Sequence, residues 1–250
     1  MTITEQPTSD RISTFLIEPL APGYGMTIGH SLRRVLLTSL EGAAVSYVKI
    51  TGVDHEFTTL KGMKEDIVEL ILNLKALRVS SESAEPVIIH LEKKGPGVVT
   101  ASDFTPNSDI SIADPEHHIA TLDKNGKLVM DVTIERGRGY VPTERKGHDK
   151  LPIGTIAIDS IISPIKRVNY EVDHTRVGGQ TDFDKLTLEL TTDGTITPAD
   201  AMRHASQILV EHFGIVRDAA QSVVEDQSEP SEKKTAKKRS KKAATTEDSE

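Results

Sequence analysis

The segment from Phe15 to Leu40 constrains the fold more than any other part of the chain. A short apolar strand there is followed by a loop with glycines at positions 23 and 25, and then by a predicted helix over Thr27–Leu40. The apolar residues of this helix recur at the spacing of a core-facing surface, and they are Ile28, Leu32, Val35, Leu36 and Leu40. Arg33 and Arg34 point about 100° apart on the same helix, so at least one of them lies beside this apolar face. A charge at that position indicates a surface that meets a partner.

Two further helices are predicted from periodicity and from their start signals. One covers Lys64–Leu77 and has acidic residues in its first turn, where they suit the helix dipole. The other begins after Thr197, a good N-cap, which is followed by Pro198 and Asp200 at positions that favour a helix start. Beyond about Val224 the sequence is polar and without periodicity, and we expect it to be disordered.

The stretches between these helices favour strands. Gly42 is expected to end the first helix, and Asn125-Gly126 is expected to form the turn of a β-hairpin. Helices and strands in this order predict an α+β protein with one domain inserted into another. The predicted strands are residues 11–18, Ala43–Ile50, Val87–Leu91, Val98–Thr100, Ile119–Leu122, Lys127–Glu135, Thr155–Ile161, Ile165–Val172 and Lys185–Thr191.

Composition excludes several classes of protein. The chain has no cysteine, so neither a disulfide framework nor a zinc–thiolate site can form. No apolar run is long enough to span a bilayer and the polar start is unlike a secretory signal, so we expect a cytoplasmic protein. The formal net charge is −8, and residues 226–250 hold seven basic and six acidic residues, which leaves −9 on residues 1–225. This charge favours protein partners over nucleic acid for the folded part.

Six motifs follow one another in unbroken order between about Ile12 and Val216. They are Phe15–Leu40, Thr58–Ile67, Leu72–Lys75, Arg136–Pro142, Ser163–Val168 and Thr181–Leu186. With these motifs the chain resembles the amino-terminal domain of the alpha subunit of bacterial RNA polymerase. Several motifs in the right order are far more specific than any one of them.

The resemblance implies a division into domains. Residues 1–41 and 168–225 are expected to form a discontinuous dimerisation domain, residues 42–167 a β-rich insert domain, and residues 226–250 a disordered, lysine-rich tail. In the family such a tail is a linker to a carboxy-terminal domain that binds promoter DNA and activators. The sequence ends before such a domain, and a truncated chain and a naturally short subunit both stay open.

The resemblance also implies a function. The chain is expected to be a non-catalytic subunit of DNA-directed RNA polymerase, a nucleotidyltransferase that acts in transcription. It would homodimerise and scaffold the beta and beta-prime subunits, in the cytoplasm and at the nucleoid. Catalytic, cofactor-binding and metal-binding residues are expected to be absent from this chain, with magnesium held by the catalytic subunit. Promoter DNA and activators would be indirect partners, and no membrane partner is expected.

Matching the family's motifs residue by residue gives candidate interface residues. Arg33, Arg34 and Lys75 are expected to contact the beta subunit. Arg176, Thr181 and Asp182 are expected to contact the beta-prime subunit. The dimer interface is expected to include Ile28, Leu32, Val35, Leu36, Ala205, Ile208, Leu209, His212 and Phe213.

Two other functions are kept as alternatives. A stand-alone enzyme would use the glycine loop for a nucleotide phosphate, although the glycine spacing matches neither Gly-x-Gly-x-x-Gly nor the P-loop. A DNA-binding regulator would act through Lys233–Lys242. The pair Asp182 and Asp184 has the spacing of magnesium ligands, but such a pair is common by chance. Arg136–Tyr140 is interpreted as a loop with positive φ at both glycines, which leaves its arginines available to a partner.

Overall fold

In the described residues the fold combines antiparallel sheets with three α-helices, which confirms the predicted α+β class. The structure, a computed structural model, describes residues 1–146 and 152–228, with side chains as far as Gln221. The helices are α1 (Tyr24–Thr38), α2 (Ile67–Ala76) and α3 (Pro198–Ser228). The strands are β1 (Thr2–Ser9), β2 (Ile12–Leu20), β3 (Glu41–Ile50), β4 (Val79–Ser81), β5 (Val87–Lys94), β6 (Gly97–Thr100), β7 (Ile110–Ile112), β8 (His118–Leu122), β9 (Lys127–Arg138), β10 (Tyr140–Val141), β11 (Thr155–Ala157), β12 (Ser160–Ile161), β13 (Ile165–Val177) and β14 (Gln180–Thr192).

One sheet joins the two amino-terminal strands to two strands that follow the middle of the chain. Its strand order is β1-β2-β14-β13, and every neighbouring pair is antiparallel. Alternate residues of β14 face one side of the sheet, so Leu186, Leu188 and Leu190 are all buried. Helix α1 packs on β13 and β14 and buries Leu32 and Leu36 there. The predicted apolar stripe of α1 is therefore covered largely by its own chain.

A larger sheet forms the middle of the chain. Its order is β5-β9-β3-β4-β7, and β11 pairs with β3 as well. Helix α2 covers one face of this sheet and buries Ile67, Leu70 and Leu74 completely. The principal cluster of buried apolar side chains lies wholly between Ala43 and Ile158. The domain boundaries expected at residues 42 and 167 stay a prediction.

The chain divides into two compact units. Met1–Ile208 form the first, and the second begins at Leu209. Thr197 caps α3 as predicted, because its hydroxyl oxygen accepts a hydrogen bond from the Asp200 N–H at 3.1 Å. Helix α3 continues to Ser228, so the first residues of the predicted tail are helical, whereas the rest of it lies outside the described residues. No helix in the described ranges combines the length and apolar character needed to cross a membrane.

Two glycine predictions are wrong. Gly42 does not end α1, which stops at Thr38; it lies inside β3, where a Cβ would overlap the carbonyl oxygen of Ile162. Gly126 forms a tight turn but not a hairpin, since β8 pairs with β6 whereas β9 pairs with β5 and β3. Both glycines are explained by contacts between distant segments, which local sequence does not reveal.

Other elements differ in extent or were not predicted. Strands β1, β4 and β7 have weak sequence signals, because β1 is polar and exposed and the other two have three residues each. Strand β9 runs through Gly137 to Arg138, so the predicted loop is mostly strand and only Gly139 has a positive φ, of 68°. Strands β13 and β14 extend several residues beyond their predicted ends.

Candidate assembly interfaces

The amino terminus of α1 is occupied by a carboxylate of the same chain. Gly23 precedes the helix with a φ of 84° and provides no side-chain cap. Instead, the buried Asp184 accepts a hydrogen bond from the Gly25 N–H through Oδ2 at 2.9 Å. A helix amino terminus attracts anions, and here the protein supplies the anion itself. This contact disfavours the nucleotide alternative and gives Asp184 a structural role.

Arg33 and Arg34 lie on the solvent-facing side of α1. Both side chains are exposed, so neither guanidinium is desolvated in this chain. Arg33 borders a shallow cleft of about 150 Å³ whose other lining residues come from β13 and β14 and include Glu171 and Glu189. These arginines are therefore accessible to a partner.

Lys75 is held by an internal ion pair at the end of α2. Its Nζ lies 3.0 Å from Oδ2 of Asp159, and the Thr143 N–H donates to Oδ1 of the same carboxylate at 3.0 Å. The Thr143 hydrogen bond, followed by that of Lys75, lowers the pKa of Asp159 to about 2. The Lys75 ammonium also lies 6.0 Å from the centre of the Tyr140 ring. Lys75 thus links α2 to the segments that contain Asp159 and Tyr140. Only part of its side chain is accessible to a partner.

A groove runs beside Lys75 and is named here the α2 groove. Its volume is about 240 Å³, and apolar side chains line most of it. Phe57 is 80% exposed at its rim, and Leu72 and Val68 are exposed on α2. The sequence motifs point to Lys75 but not to these apolar neighbours. The exposure of Leu72 and Val68 is nevertheless implied by their positions away from the buried face of α2.

The predicted beta-prime residues meet at the tip of the β13–β14 hairpin. Val177 pairs with Gln180 next to the turn, so Arg176 lies on one strand and Thr181 and Asp182 lie on the other. All three side chains are exposed, and the Arg176 Nε donates to the Gly178 carbonyl at 2.8 Å. The structure therefore brings these residues together on one protruding edge.

The predicted dimer residues differ in how much surface they retain. Leu32, Leu36 and Ala205 are buried inside the first unit, so a second copy cannot bury them further. Ile28, Val35, Ile208 and Leu209 are partly buried. His212 and Phe213 are exposed. In the second unit Val210, Phe213, Ile215 and Val216 are between 62% and 72% exposed. Phe213 and Val216 belong to the apolar stripe that the sequence predicts for this helix, whereas Val210 and Ile215 do not.

The buried acid before α2 is also engaged locally. Burial acts to raise the pKa of Glu65, but hydrogen bonds from the Thr121 N–H at 2.7 Å and hydroxyl at 2.8 Å hold it below its ordinary value. His118 Nε2 lies 3.5 Å from the same carboxylate. Across residues 1–146 and 152–221, no three His, Asp or Glu side chains converge as metal ligands would.

Comparison with known proteins shows which proteins the chain is similar to. The family model described as the RNA polymerase Rpb3/RpoA insert domain matches residues 48–163. The DNA-directed RNA polymerase subunit alpha of Beutenbergia cavernae is 50% identical over 217 residues, which cover 87% of this chain and 64% of that protein. The chain thus spans less than two thirds of the length of this relative. Over most of its own length the chain is therefore similar to a bacterial DNA-directed RNA polymerase alpha subunit, and its central part matches the Rpb3/RpoA insert domain.

Proposed function

We propose that this chain homodimerises and scaffolds the assembly of RNA polymerase by binding the beta and beta-prime subunits. The observation that carries the proposal is the exposed apolar surface of the second unit, where Val210, Phe213, Ile215 and Val216 face solvent. Completely burying a side chain of this size stabilises an association by roughly 1.5–3 kcal/mol. Val210, Phe213 and Val216 lie within about 120° of one another around the helix axis, whereas Ile215 lies on the other side. An exposed apolar patch of this kind marks a protein interaction site.

A second copy of the chain is the partner that we propose for this surface. In a two-fold dimer the same patch meets itself, so an apolar helix face is self-complementary without any charge pairing. Obligate interfaces commonly exceed about 2,000 Å² and resemble a domain core. Ile28 and Val35 of α1 keep partly exposed apolar surface that can contribute to such an interface.

The large subunits would bind at two other places. Exposed Arg33 and Arg34 and the α2 groove with Lys75 would contact beta, because they combine accessible cations with exposed apolar side chains. The β13–β14 hairpin tip with Arg176, Thr181 and Asp182 would contact beta-prime. Arginine and aromatic side chains are enriched at such interfaces.

The chain would contribute no catalytic group to nucleotidyl transfer. Asp184, one of the two acids with magnesium-like spacing, already accepts the Gly25 N–H and is buried. We propose that magnesium binds to a catalytic subunit instead, and that the assembled enzyme acts in the bacterial cytoplasm. The DNA-binding alternative depends on Lys233–Lys242, which lies outside the described residues.

Coexpression with the beta and beta-prime subunits tests the proposal. The wild-type chain should sediment as a dimer at micromolar concentration and should copurify with both large subunits. Phe213→Asp should shift the chain to a monomer, because a charge left unpaired in an apolar interface is strongly unfavourable. Ser206→Asp, on an exposed position in the first unit, is the matched control. A wild-type monomer by analytical ultracentrifugation would exclude the proposed scaffold.

Arg34→Ala separates assembly from folding. Circular dichroism and dimerisation should stay nearly unchanged, because an exposed charge away from packing alters stability little. Capture of beta should weaken, since truncating one partner of an interfacial charge pair can cost roughly 2–5 kcal/mol of binding. If beta binds this variant as tightly as wild type, Arg34 is only a solvated helix residue.

A further inference from the structure

One end of the larger sheet carries two arginines that share a single carboxylate. Glu41 in β3 lies opposite Arg138 in β9, and Arg136 lies two residues away on the same strand. Arg136 Nη2 donates to Glu41 Oε2 at 2.7 Å, and Arg138 Nη2 donates to Oε1 at 2.6 Å. The hydrogen bonds from Arg138 and Arg136 also lower the pKa of Glu41. The carboxylate is therefore ionised, and both of its oxygens are engaged.

This trio has a surplus of positive charge and of hydrogen-bond donors. A guanidinium has five N–H donors, and in the described part of the chain each arginine makes one side-chain hydrogen bond, to Glu41. The side chains of Arg136, Arg138 and Glu41 are 38%, 58% and 43% exposed, so both guanidiniums stay partly accessible to solvent. The trio carries a net charge of +1 on a protein whose residues 1–225 carry −9.

The backbone beneath the trio is held in place by tight contacts. Gly42 and Gly137 lie opposite each other between the charged residues, and the chain at Ile162 crosses over both. A Cβ at Gly42 would overlap the Ile162 carbonyl oxygen, and one at Gly137 would lie 3.1 Å from the Ile162 Cδ1. The Ile162 N–H in turn donates to the Gly139 carbonyl at 2.8 Å. The backbone that carries the two arginines is therefore held in place before binding. This reduces the conformational entropy that is lost when a ligand binds.

We propose that Arg136 and Arg138 together bind a carboxylate side chain of the beta subunit. Planar guanidiniums pair with carboxylates through two parallel hydrogen bonds, and the donors not used by Glu41 are available for this. The site adjoins the surface proposed for beta. Tyr140 follows Arg138 by two residues, and the centre of its ring lies 6.0 Å from the Nζ of Lys75. The proposal rests on the function proposed above. The charge of −9 on the folded part disfavours a nucleic-acid phosphate as the ligand.

Zero-length crosslinking in the assembled complex tests the ligand directly. Carbodiimide joins a lysine amine to a carboxylate in contact with it but does not join arginine. In complexes of Arg136→Lys or Arg138→Lys with beta and beta-prime, the new amine should crosslink to an aspartate or glutamate of beta, identified by mass spectrometry. Lys127, which lies 3.4 Å from Glu92, is the control and should yield only its internal crosslink. Crosslinks from both new lysines to Glu41 alone would overturn the proposal.

Charge variants distinguish binding from a structural role of the trio. Either arginine can be replaced while the other still pairs with Glu41, so Arg138→Glu should fold, which circular dichroism checks. It should weaken capture of beta by about tenfold or more. Glu41→Gln frees both guanidiniums and should capture beta at least as well as wild type. Equal losses in Arg138→Glu and Glu41→Gln would show a structural trio and overturn the proposal.

The remaining outcomes separate this inference from the proposed function. If the wild-type chain dimerises and captures beta, and both Arg138→Glu and Glu41→Gln capture it as well as the wild type does, only the carboxylate site is wrong. If the wild-type chain captures neither large subunit, the scaffold function fails and the site fails with it. If Arg138→Glu loses binding to duplex DNA by fluorescence anisotropy while capture of beta is unchanged, the ligand is a phosphate and the carboxylate assignment is overturned.

Discussion

Helix α1 and the second half of α3 both carry apolar side chains, but those of α1 are largely buried and those of α3 are exposed. In α1, Leu32 and Leu36 are buried against β13 and β14 of the same chain. In the second unit, which begins at Leu209, side chains such as Phe213 stay exposed. An apolar stripe thus specifies a helix and one of its faces, but not the surface that will cover that face.

The largest expected effect contrasts one apolar residue from each helix. Leu36→Ala removes a fully buried side chain and should lower the free energy of unfolding by about 2–5 kcal/mol. Phe213→Ala removes an exposed side chain and should barely affect a single protomer, but it should weaken the proposed dimer. Denaturant unfolding at several protein concentrations measures both effects, because only the dimer contribution depends on concentration. A loss of similar size for both variants at the lowest concentration would contradict the contrast.

Replacing one glycine in each helix by alanine should have a smaller effect on the free energy of unfolding. The sign of this effect should differ between Gly29 in α1 and Gly214 in α3. A Cβ at Gly29 in α1 would lie 2.6 Å from the Tyr170 ring and 2.9 Å from Leu186, so Gly29→Ala should destabilise by about 1–3 kcal/mol. A Cβ at Gly214 in α3 meets no other described atom within 4 Å. Gly214→Ala should therefore stabilise the helix by about 0.5–1 kcal/mol.

Thermal melts of the two glycine variants check the prediction. Gly29→Ala should melt below wild type and Gly214→Ala should melt at or above it. Gly29→Ser is a second test of close packing, since it adds an atom beyond Cβ and should cost at least as much as alanine. A Gly29→Ala protein as stable as wild type would show that α1 does not need this close approach to β13 and β14.

The sequence predicted much of the fold because periodicity is a local property. The stripe of α1, the cap at Thr197 and the alternating pattern of β14 each follow from residues within one element. The turn at Asn125-Gly126 was interpreted wrongly because strand pairing depends on distant partners, and β8 and β9 belong to different sheets. Strand β1 lacks the apolar alternation that identifies a half-buried strand, since all of its residues are exposed.

The surroundings of the candidate interface residues also depend on contacts between distant segments, which local sequence does not reveal. Arg34, Lys75 and Arg176 were found through motifs in order, whereas their surroundings depend on pairing between distant strands. The contact between Gly25 and Asp184 spans 159 positions, and the ion pair of Lys75 with Asp159 spans 84. Neither contact leaves a spacing signal in the sequence. The exposed apolar residues beside Lys75 could have been found by asking which residues of α2 oppose its buried face.

The smallest expected effect compares an internal ion pair with an exposed one. Lys75 and Asp159 are partly buried, and the pKa of Asp159 is lowered to about 2. An ordinary aspartate has a pKa of about 3.9, so the contribution of Asp159 to stability is fully present above about pH 4. It should be lost as the pH falls from about 4 towards 2, because the folded protein then binds the proton less readily than the unfolded chain.

Partial exposure of both side chains limits this contribution to about 1 kcal/mol. Asp159→Asn should flatten the pH dependence of unfolding between about pH 4 and 2, relative to wild type. Asp218→Asn is the matched control. Asp218 pairs with Arg217 on α3 in the second unit, and this ion pair is highly exposed and screened by water. Urea unfolding at intervals across this range measures the difference. If Asp159→Asn and Asp218→Asn have the same acid profile as wild type, the Lys75 pair contributes no more than a solvated surface contact, and Lys75 is freer to bind a partner than its geometry implies.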